Sequence, residues 1–312
     1  MKKLIIMQAF PDTVLELDYW LSLYQLPWSE LSKIANRYRK EYFRPNLDYC
    51  SIVNAKSGRC SEDCRFCAQS IHYNTGIKEY NYLDPEKILK LAREMQAKGV
   101  NHFSLVTSGK AVTNSLLKKL LPVYELLRKE TNLELCASHG LLNEAQAFAL
   151  KEAGVNRYHH NLESSRSFYS KICTSHHFDE RVATVRAAKL AGMEVCSGGI
   201  IGLGENVAQR IELALEINKL NVDSIPLNFL MPVQGTPMEN NPPLQITEIL
   251  KILALFRIIN PKTEIRIAGG RQLLMGYENE MLKAGISGLM VGNYLTTNGM
   301  DPNIDLNLSH KD

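Results

Sequence analysis

The chain has 312 residues, 45% hydrophobic and 22% charged, with a formal net charge of +3. That length suits one large α/β barrel or two modest domains, and the charge is too small to argue for a nucleic-acid partner, with no Lys/Arg run of the expected kind. The opening MKKLIIMQAF has an apolar run too short for a secretory segment before Pro11 and Asp12, and no stretch of about 18 apolar residues is present for a membrane span; the chain reads as a soluble, cytoplasmic, single-domain enzyme.

Residues 14–42 carry helical periodicity, with Leu31, Ile34, Ala35, Tyr38 and Phe43 on one side. They predict an N-terminal helical cap over 1–45, followed by a barrel over 46–312. From Asp48 onward short β-prone runs alternate with amphipathic segments. The strand candidates are Tyr49–Ala55, His102–Thr107, Leu133–Ser138, Arg157–Asn161, Glu194–Gly202, Asp223–Leu230, Glu264–Ala268 and Gly288–Gly292. Between them lie the helix candidates Pro85–Lys98, Ser115–Lys129, Glu144–Ala153, Asp179–Ala191, Ala208–Leu220 and Thr247–Ile258. Several end in a small residue or Lys followed by Gly, at Gly99, Gly154, Gly192 and Gly285, which is a helix-stop signal. This alternation predicts an α/β fold, a (β/α)8 TIM-type barrel with an N-terminal helical extension. A doubly wound sheet would want a Gly-rich turn after its first strand, which is absent. In such a barrel the chemistry sits at the C-terminal ends of the strands.

Just past the first strand the chain reads Cys60-x3-Cys64-x2-Cys67. Three thiolates at this spacing suit three irons of a [4Fe-4S] cluster, whereas a fourth Cys normally closes such a cluster. The fourth iron would stay open for a small molecule, and the spacing resembles that of the radical S-adenosylmethionine (SAM) superfamily. A structural zinc site is the plainer alternative, but a zinc module closes with a second Cys/His pair. The next candidates, His72 and His102, are in no familiar finger spacing. A disulfide framework fits poorly with seven cysteines and no signal peptide.

Four further residues fall on odd-numbered strands: Cys50 on the first, Cys136 on the third, Cys196 on the fifth and Arg266 on the seventh. An interior barrel layer draws its side chains from alternate strands, so three thiols and a guanidinium could form one ring and bind a second metal cluster. Buried Cys is also a common small hydrophobe, and strand parity is open at this point.

The strings IVNAKSGRCSEDCRFCAQS, RYHHNLESS, VCSGGIIGLGE, SIPLNFLMPVQGTP, EIRIAGGRQ and NYLTTNG resemble biotin synthase over roughly residues 26–300. The resemblance implies a (β/α)8 barrel holding a [4Fe-4S] cluster, an auxiliary iron–sulfur cluster and SAM. It implies sulfur insertion between C6 and C9 of dethiobiotin, with the auxiliary cluster as sulfur source, an electron donor such as flavodoxin or ferredoxin, and a homodimer. Residue by residue, Cys60, Cys64 and Cys67 would hold the radical cluster. Phe66 stands where the family has an aromatic near the adenine. Asn161 and Glu163 match the pair near the SAM ribose, and Arg181 the partner of the SAM carboxylate, which suits a guanidinium fork. Gly198–Glu205, including Ile200, matches the adenine-contacting segment. His159, Asn161 and Asn228 match substrate contacts, and Thr296 and Thr297 the pair that receives the dethiobiotin carboxylate.

The sequence departs from the family pattern in two places. Ser104 stands where the family's auxiliary cluster takes a Cys from the second strand, while Cys50 occupies a first-strand position usually small and polar. Cys50 is therefore expected to replace that ligand, giving an auxiliary site of Cys50, Cys136, Cys196 and Arg266, either [2Fe-2S] or larger. His159 stands where the family usually has Asn; imidazole can still donate or accept. Of the remaining candidates, His139 is left open between a structural and a site role, His176 and His177 read as exposed or capping, and Cys173 as structural. Rival readings are another radical SAM enzyme on the same frame, a hydrogenase maturase or a methylornithine-type mutase, and a non-catalytic iron–sulfur or zinc-binding sensor.

Overall fold

The structure, a computed structural model, describes residues 17–296, 299, 302–306 and 308. Two helices lead the chain, α1 (Leu17–Tyr24) and α2 (Trp28–Tyr42). Pro27 starts α2 with its fixed φ, and Leu31, Ala35 and Tyr38 recur on its buried face.

The strands are β1 (Asp48–Lys56), β2 (His102–Thr107), β3 (Glu134–Ser138), β4 (Arg157–His159), β5 (Glu194–Cys196), β6 (Gly199–Ile201), β7 (Ser224–Phe229), β8 (Glu264–Ile267) and β9 (Gly288–Met290). All pair in parallel in the order β5-β4-β3-β2-β1-β9-β8-β7-β6, and a further β5–β7 pairing closes the ring. The helices α3 (Pro85–Ala97), α4 (Asn114–Glu130), α5 (Glu144–Glu152), α6 (Arg166–Tyr169), α7 (Phe178–Leu190), α8 (Val207–Lys219), α9 (Ile246–Ile259), α10 (Glu278–Lys283) and α11 (Pro302–Leu306) fall between or after them. α2 packs against α9 and α10, and α1 against α8 and α9, so the leading helices cover one side of the helical ring.

Sequence signals account for the helix ends. Asp84 accepts from Glu86 N with Pro85 in the first turn of α3, and Asn143/Gln146 and Asn206/Gln209 form reciprocal capping boxes on α5 and α8. Gly99, Gly154, Gly192 and Gly285 take φ of 85°, 105°, 75° and 93° just past α3, α5, α7 and α10, where a side chain would be strained.

The expected fifth strand, Glu194–Gly202, is divided: β5 and β6 both pair with β7 but break at Ser197–Gly198. Two residues on β7 and the fifth strand explain it. Pro226 in β7 has no N–H to donate to the ladder, and Gly198 packs so closely that a Cβ there would lie 2.0 Å from the Pro226 carbonyl oxygen. The eight barrel strands are thus β1 to β4, the split fifth (β5 and β6), β7, β8 and β9. β4 ends at His159 rather than Asn161, and the chain beyond it still hydrogen-bonds across, with Leu162 N donating to Gly198 O at 2.9 Å.

Candidate active site

A cavity of about 430 Å³ opens at the C-terminal ends of the strands, walled by Cys60, Cys64, Phe66 and Cys67 on one side and by Asn161, Glu163, Arg181 and Ile200 on another. The cysteine loop leaves β1 through Gly58 and Arg59, both at positive φ. It folds on itself: Cys60 N donates to Gln69 O, Ile71 N to Cys60 O and Cys67 N to Cys64 O, each at 2.9 Å. Burial pushes the Cys60 thiol up and the Cys67 thiol up to about 11, so these sulfurs are protonated until a metal displaces the proton.

The residues expected around SAM come together. Arg181, on α7, donates from Nη1 to Asn161 O at 2.8 Å and from Nε to the Tyr169 hydroxyl at 2.6 Å. Its Nη1 also lies 3.6 Å from Glu163 Oε1. Asn161 Nδ2 is 3.4 Å from Glu163 Oε2, and burial raises the Glu163 carboxyl above its ordinary range. Glu163 sits at φ 68° and accepts from Ile200 N through its carbonyl at 2.8 Å, which ties this wall to the Gly198–Glu205 segment.

The expected substrate contacts His159, Asn228 and Thr296 also border the cavity; Thr297 lies outside the described residues. Asn228 is fixed at both ends of its amide, donating to Gly199 O at 3.2 Å and accepting from Gly269 N at 2.8 Å. His159 is held neutral by burial, and its Nε2 is buried without a hydrogen-bond partner.

Cys50, Cys136, Cys196 and Arg266 do not border this cavity; they lie deeper, at 2%, 0%, 0% and 1% exposure. Desolvation raises the thiols of all three, Cys196 to about 11. Cys136 lies close enough to feel Cys50, Cys196 and Arg266, and Cys50 is within hydrogen-bonding reach of Arg266. Arg266 donates to Ser224 Oγ at 3.1 Å and Asp48 Oδ2 at 2.7 Å, and also meets Glu264. Its Nη1 has no partner, and neither does the Oγ of Ser104, which pairs in register with Cys136.

Of these further candidates, His176 departs from the sequence reading and His177 follows it. His176 is buried at 5% exposure rather than exposed, with Nδ1 2.6 Å from Glu62 Oε2; His177 is exposed and opens α7, its N–H donating to Glu180 at 2.7 Å. Cys173 lies beside the cysteine loop, Sγ 3.7 Å from Cys64 Sγ. The Cys64 thiol donates to it, pushing Cys64 up and Cys173 down to about 4. Cys64, Cys173 and His176 place their ligand atoms within 4.8 Å of one another, which the three loop thiols do not do among the described residues. The Cys173-x2-His176 spacing was the available signal. His139 proves to be a buried structural residue, its ring between Thr107 Oγ1 at 2.9 Å and Tyr124 Oη at 2.8 Å.

Two family profiles match the chain: the Radical SAM superfamily over residues 55–217 and the Biotin and Thiamin Synthesis associated domain over 226–311. The chain is 50% identical to a biotin synthase from Clostridium tetani, covering 92% of this chain and 88% of the relative. It is 54% identical to one from Desulfotalea psychrophila, covering 81% and 76%. Among solved structures it is similar to methylornithine synthase (TM-score 0.78, 21% identity, 89% of this chain and 83% of that one). It is also similar to the FeFe-hydrogenase maturase of Carboxydothermus hydrogenoformans (TM-score 0.81, 18% identity, 95% and 75%). At those identities the two structures speak for the fold alone. Among the described residues no helix is long and apolar enough to cross a membrane.

Proposed function

The chain belongs to the biotin synthase family of radical SAM enzymes, and from that premise we propose how its own residues divide the work of inserting sulfur into dethiobiotin, at C9 and then C6. Cys60, Cys64 and Cys67 would hold the [4Fe-4S] cluster. Cys50, Cys136 and Cys196 would hold the auxiliary cluster, [2Fe-2S] or larger, with Arg266 as a ligand or hydrogen-bond donor. When bound, the first group supplies the electron that cleaves SAM and the second supplies the sulfur.

The donor sets fit both groups. Three thiols border the upper cavity, and three buried thiols below it surround a guanidinium with an unpartnered nitrogen. A buried N–H without a partner costs roughly 1–3 kcal/mol, which a cluster sulfide accepting from it would offset. The orphaned Nη1 of Arg266, whose guanidinium lies close to all three thiols, is the observation that carries the assignment. Ser104 offers a hydroxyl where a thiolate is needed, so Cys50 takes its place.

In the upper cavity Arg181 is held by Tyr169 and the Asn161 carbonyl, which presets its fork for the SAM carboxylate. Asn161 and Glu163 face the ribose, and Phe66 and Ile200 the adenine. Asn228, immobilised at both ends of its amide, presents its remaining N–H and its remaining oxygen lone pair to the ureido group. The neutral His159 keeps Nε2 free for the substrate, and Thr296, with Thr297, receives the carboxylate. Apolar walls of Ile52, Val106, Leu230 and Met290 exclude water from a reactive carbon centre. A flavodoxin or ferredoxin as electron donor, and a homodimer, rest on the family likeness.

The test is anaerobic reconstitution of wild type and Cys50→Ala, counting iron and sulfide per chain beside Mössbauer spectra and biotin formed. Two clusters in the wild type, with only the auxiliary one and biotin formation lost in Cys50→Ala, support the assignment. Full iron, sulfide and turnover in Cys50→Ala would sink it.

A further inference from the structure

We propose that Cys64, Cys173 and His176 form a binding site for one thiophilic divalent ion of the Zn²⁺ type when the chain carries no [4Fe-4S] cluster, so that the two metal groups exclude each other through their shared Cys64. Two of the three ligand separations are near those of a tetrahedral site, and the third lies within 4.8 Å. With metal–sulfur bonds of about 2.3 Å and metal–nitrogen bonds of about 2.0–2.1 Å, tetrahedral ligands stand about 3.7 Å apart for two sulfurs and about 3.5 Å for sulfur and nitrogen. Cys64 Sγ and Cys173 Sγ are 3.7 Å apart, and Cys173 Sγ is 3.2 Å from His176 Nδ1. Glu62 Oε2, 2.6 Å from the same nitrogen, stands next to the fourth position.

The two segments are fastened together on both sides of Cys64, so the encounter is built in. Asp63 N donates to Ser175 Oγ at 3.1 Å, and Asp63 Oδ1 accepts from Thr174 N at 2.9 Å and Ser175 N at 3.0 Å. On the other side Arg65 N donates to Ile172 O at 2.9 Å. Lys110 Nζ adds a bond to Ser175 O at 2.9 Å. All three ligand side chains are buried, and ordering that would otherwise oppose metal binding is already in place. An ion held on Cys64 would have to leave before that thiol could load iron. Only the exclusion rests on the cluster assignment above; the ion site itself does not.

The experiment uses the full chain stripped of metal, with thiols kept reduced, titrated with Co²⁺ and Zn²⁺ against a chelator. The charge-transfer absorption of Co²⁺ reports thiolate ligation. Other thiols take up ions of their own, so the readout is a difference between variants. Cys173→Ser and His176→Ala should each lose one tight equivalent, or bind it at least about 100-fold more weakly, while Cys60→Ser and Cys67→Ser keep it. Excess Zn²⁺ should slow cluster reconstitution in wild type and not in Cys173→Ser. An equivalent kept in Cys173→Ser and lost in Cys60→Ser would place the ion on the loop thiols and overturn the proposal. Folding of each variant is checked by circular dichroism, and His176→Ala stands in should Cys173→Ser misfold. Failure here leaves the iron count of Cys50→Ala untouched, so the two readings fall separately.

Discussion

Arg266 and Asp48 join the seventh barrel strand to the first near the N-terminal end of the barrel, Nη2 to Oδ2 at 2.7 Å. Ser224 and Glu264 take other donors of the same guanidinium, so Arg266 is held in place with Nη1 left over. Arg266→Met would take one partner from two carboxylates, at 28% and 14% side-chain exposure, leaving Asp48 to His102 at 3.2 Å and Glu264 to Arg157 at 3.4 Å. Breaking a buried pair costs about 3–5 kcal/mol, and the partial exposure of Asp48 puts the expected loss near the lower end. Arg266→Lys keeps the charge and should cost less than half as much. Urea denaturation curves of the three proteins measure this ordering, and equal midpoints for wild type and Arg266→Met would contradict it.

Gly198→Ala should distort the split fifth strand, because its new Cβ would sit 2.0 Å from the Pro226 carbonyl and must push β7 aside. Overpacking of this kind costs about 1–3 kcal/mol, and the adjacent Gly199–Glu163 contact should shift with it, weakening SAM binding. Gly192→Ala is the control: its φ is 75° but nothing lies within 4 Å of the added carbon, so only backbone strain of about 1–2 kcal/mol remains. Thermal midpoints and SAM equilibrium dialysis separate the two variants.

Arg181→Lys should raise the KM for SAM by about tenfold to a hundredfold, with kcat little changed. A charge-assisted hydrogen bond of roughly 1.5–3 kcal/mol is at stake, and an ammonium cannot reproduce the fork. Tyr169→Phe, which removes only the hydroxyl accepting from Nε, should have a smaller effect in the same direction. An unchanged KM in Arg181→Lys would remove the carboxylate from this residue.

His139 makes folding acid-sensitive. Burial lowers its pKa to about 3 from the ordinary 6.5, so between those values the unfolded chain binds a proton that the folded chain refuses. Stability is therefore fully present above about pH 6.5 and falls as the pH drops, by up to about 1.4 kcal/mol per pH unit from this residue. His159 and His160, also held neutral by burial, add to the slope. His139→Gln should flatten the stability–pH profile by one proton's worth between pH 4 and 6, and a profile parallel to wild type would count against this account.

The barrel was legible because each strand and helix advertises itself locally. Periodicity found α3, α4, α5, α7, α8 and α9 to within a residue or two, missed the short α6, α10 and α11, and read α1 and α2 as one stretch; the glycines after α3, α5, α7 and α10 marked where those helices stop. The expected fifth strand, Glu194–Gly202, reads as one strand although its middle carries Ser197, Gly198 and Gly199, and it breaks there. Pro226 on the neighbouring strand completes the break by packing its carbonyl against Gly198, a contact that local sequence does not reveal. Asn161, Glu163, Arg181 and Asn228 line one cavity, which only the closed barrel brings together; Thr297 lies outside the described residues.

By itself the sequence determined the Cys60, Cys64 and Cys67 spacing, the alternating βα pattern and the family strings, all of which are properties of neighbours along the chain. Tertiary structure alone decided which odd-strand side chains share the barrel interior, since a one-residue change of parity turns a strand's whole set outward. It also brought Cys173 to Cys64 across 109 positions. Periodicity carries no information over that distance; the meeting depends on how the loop after β4 docks on the loop after β1 once the ring has closed.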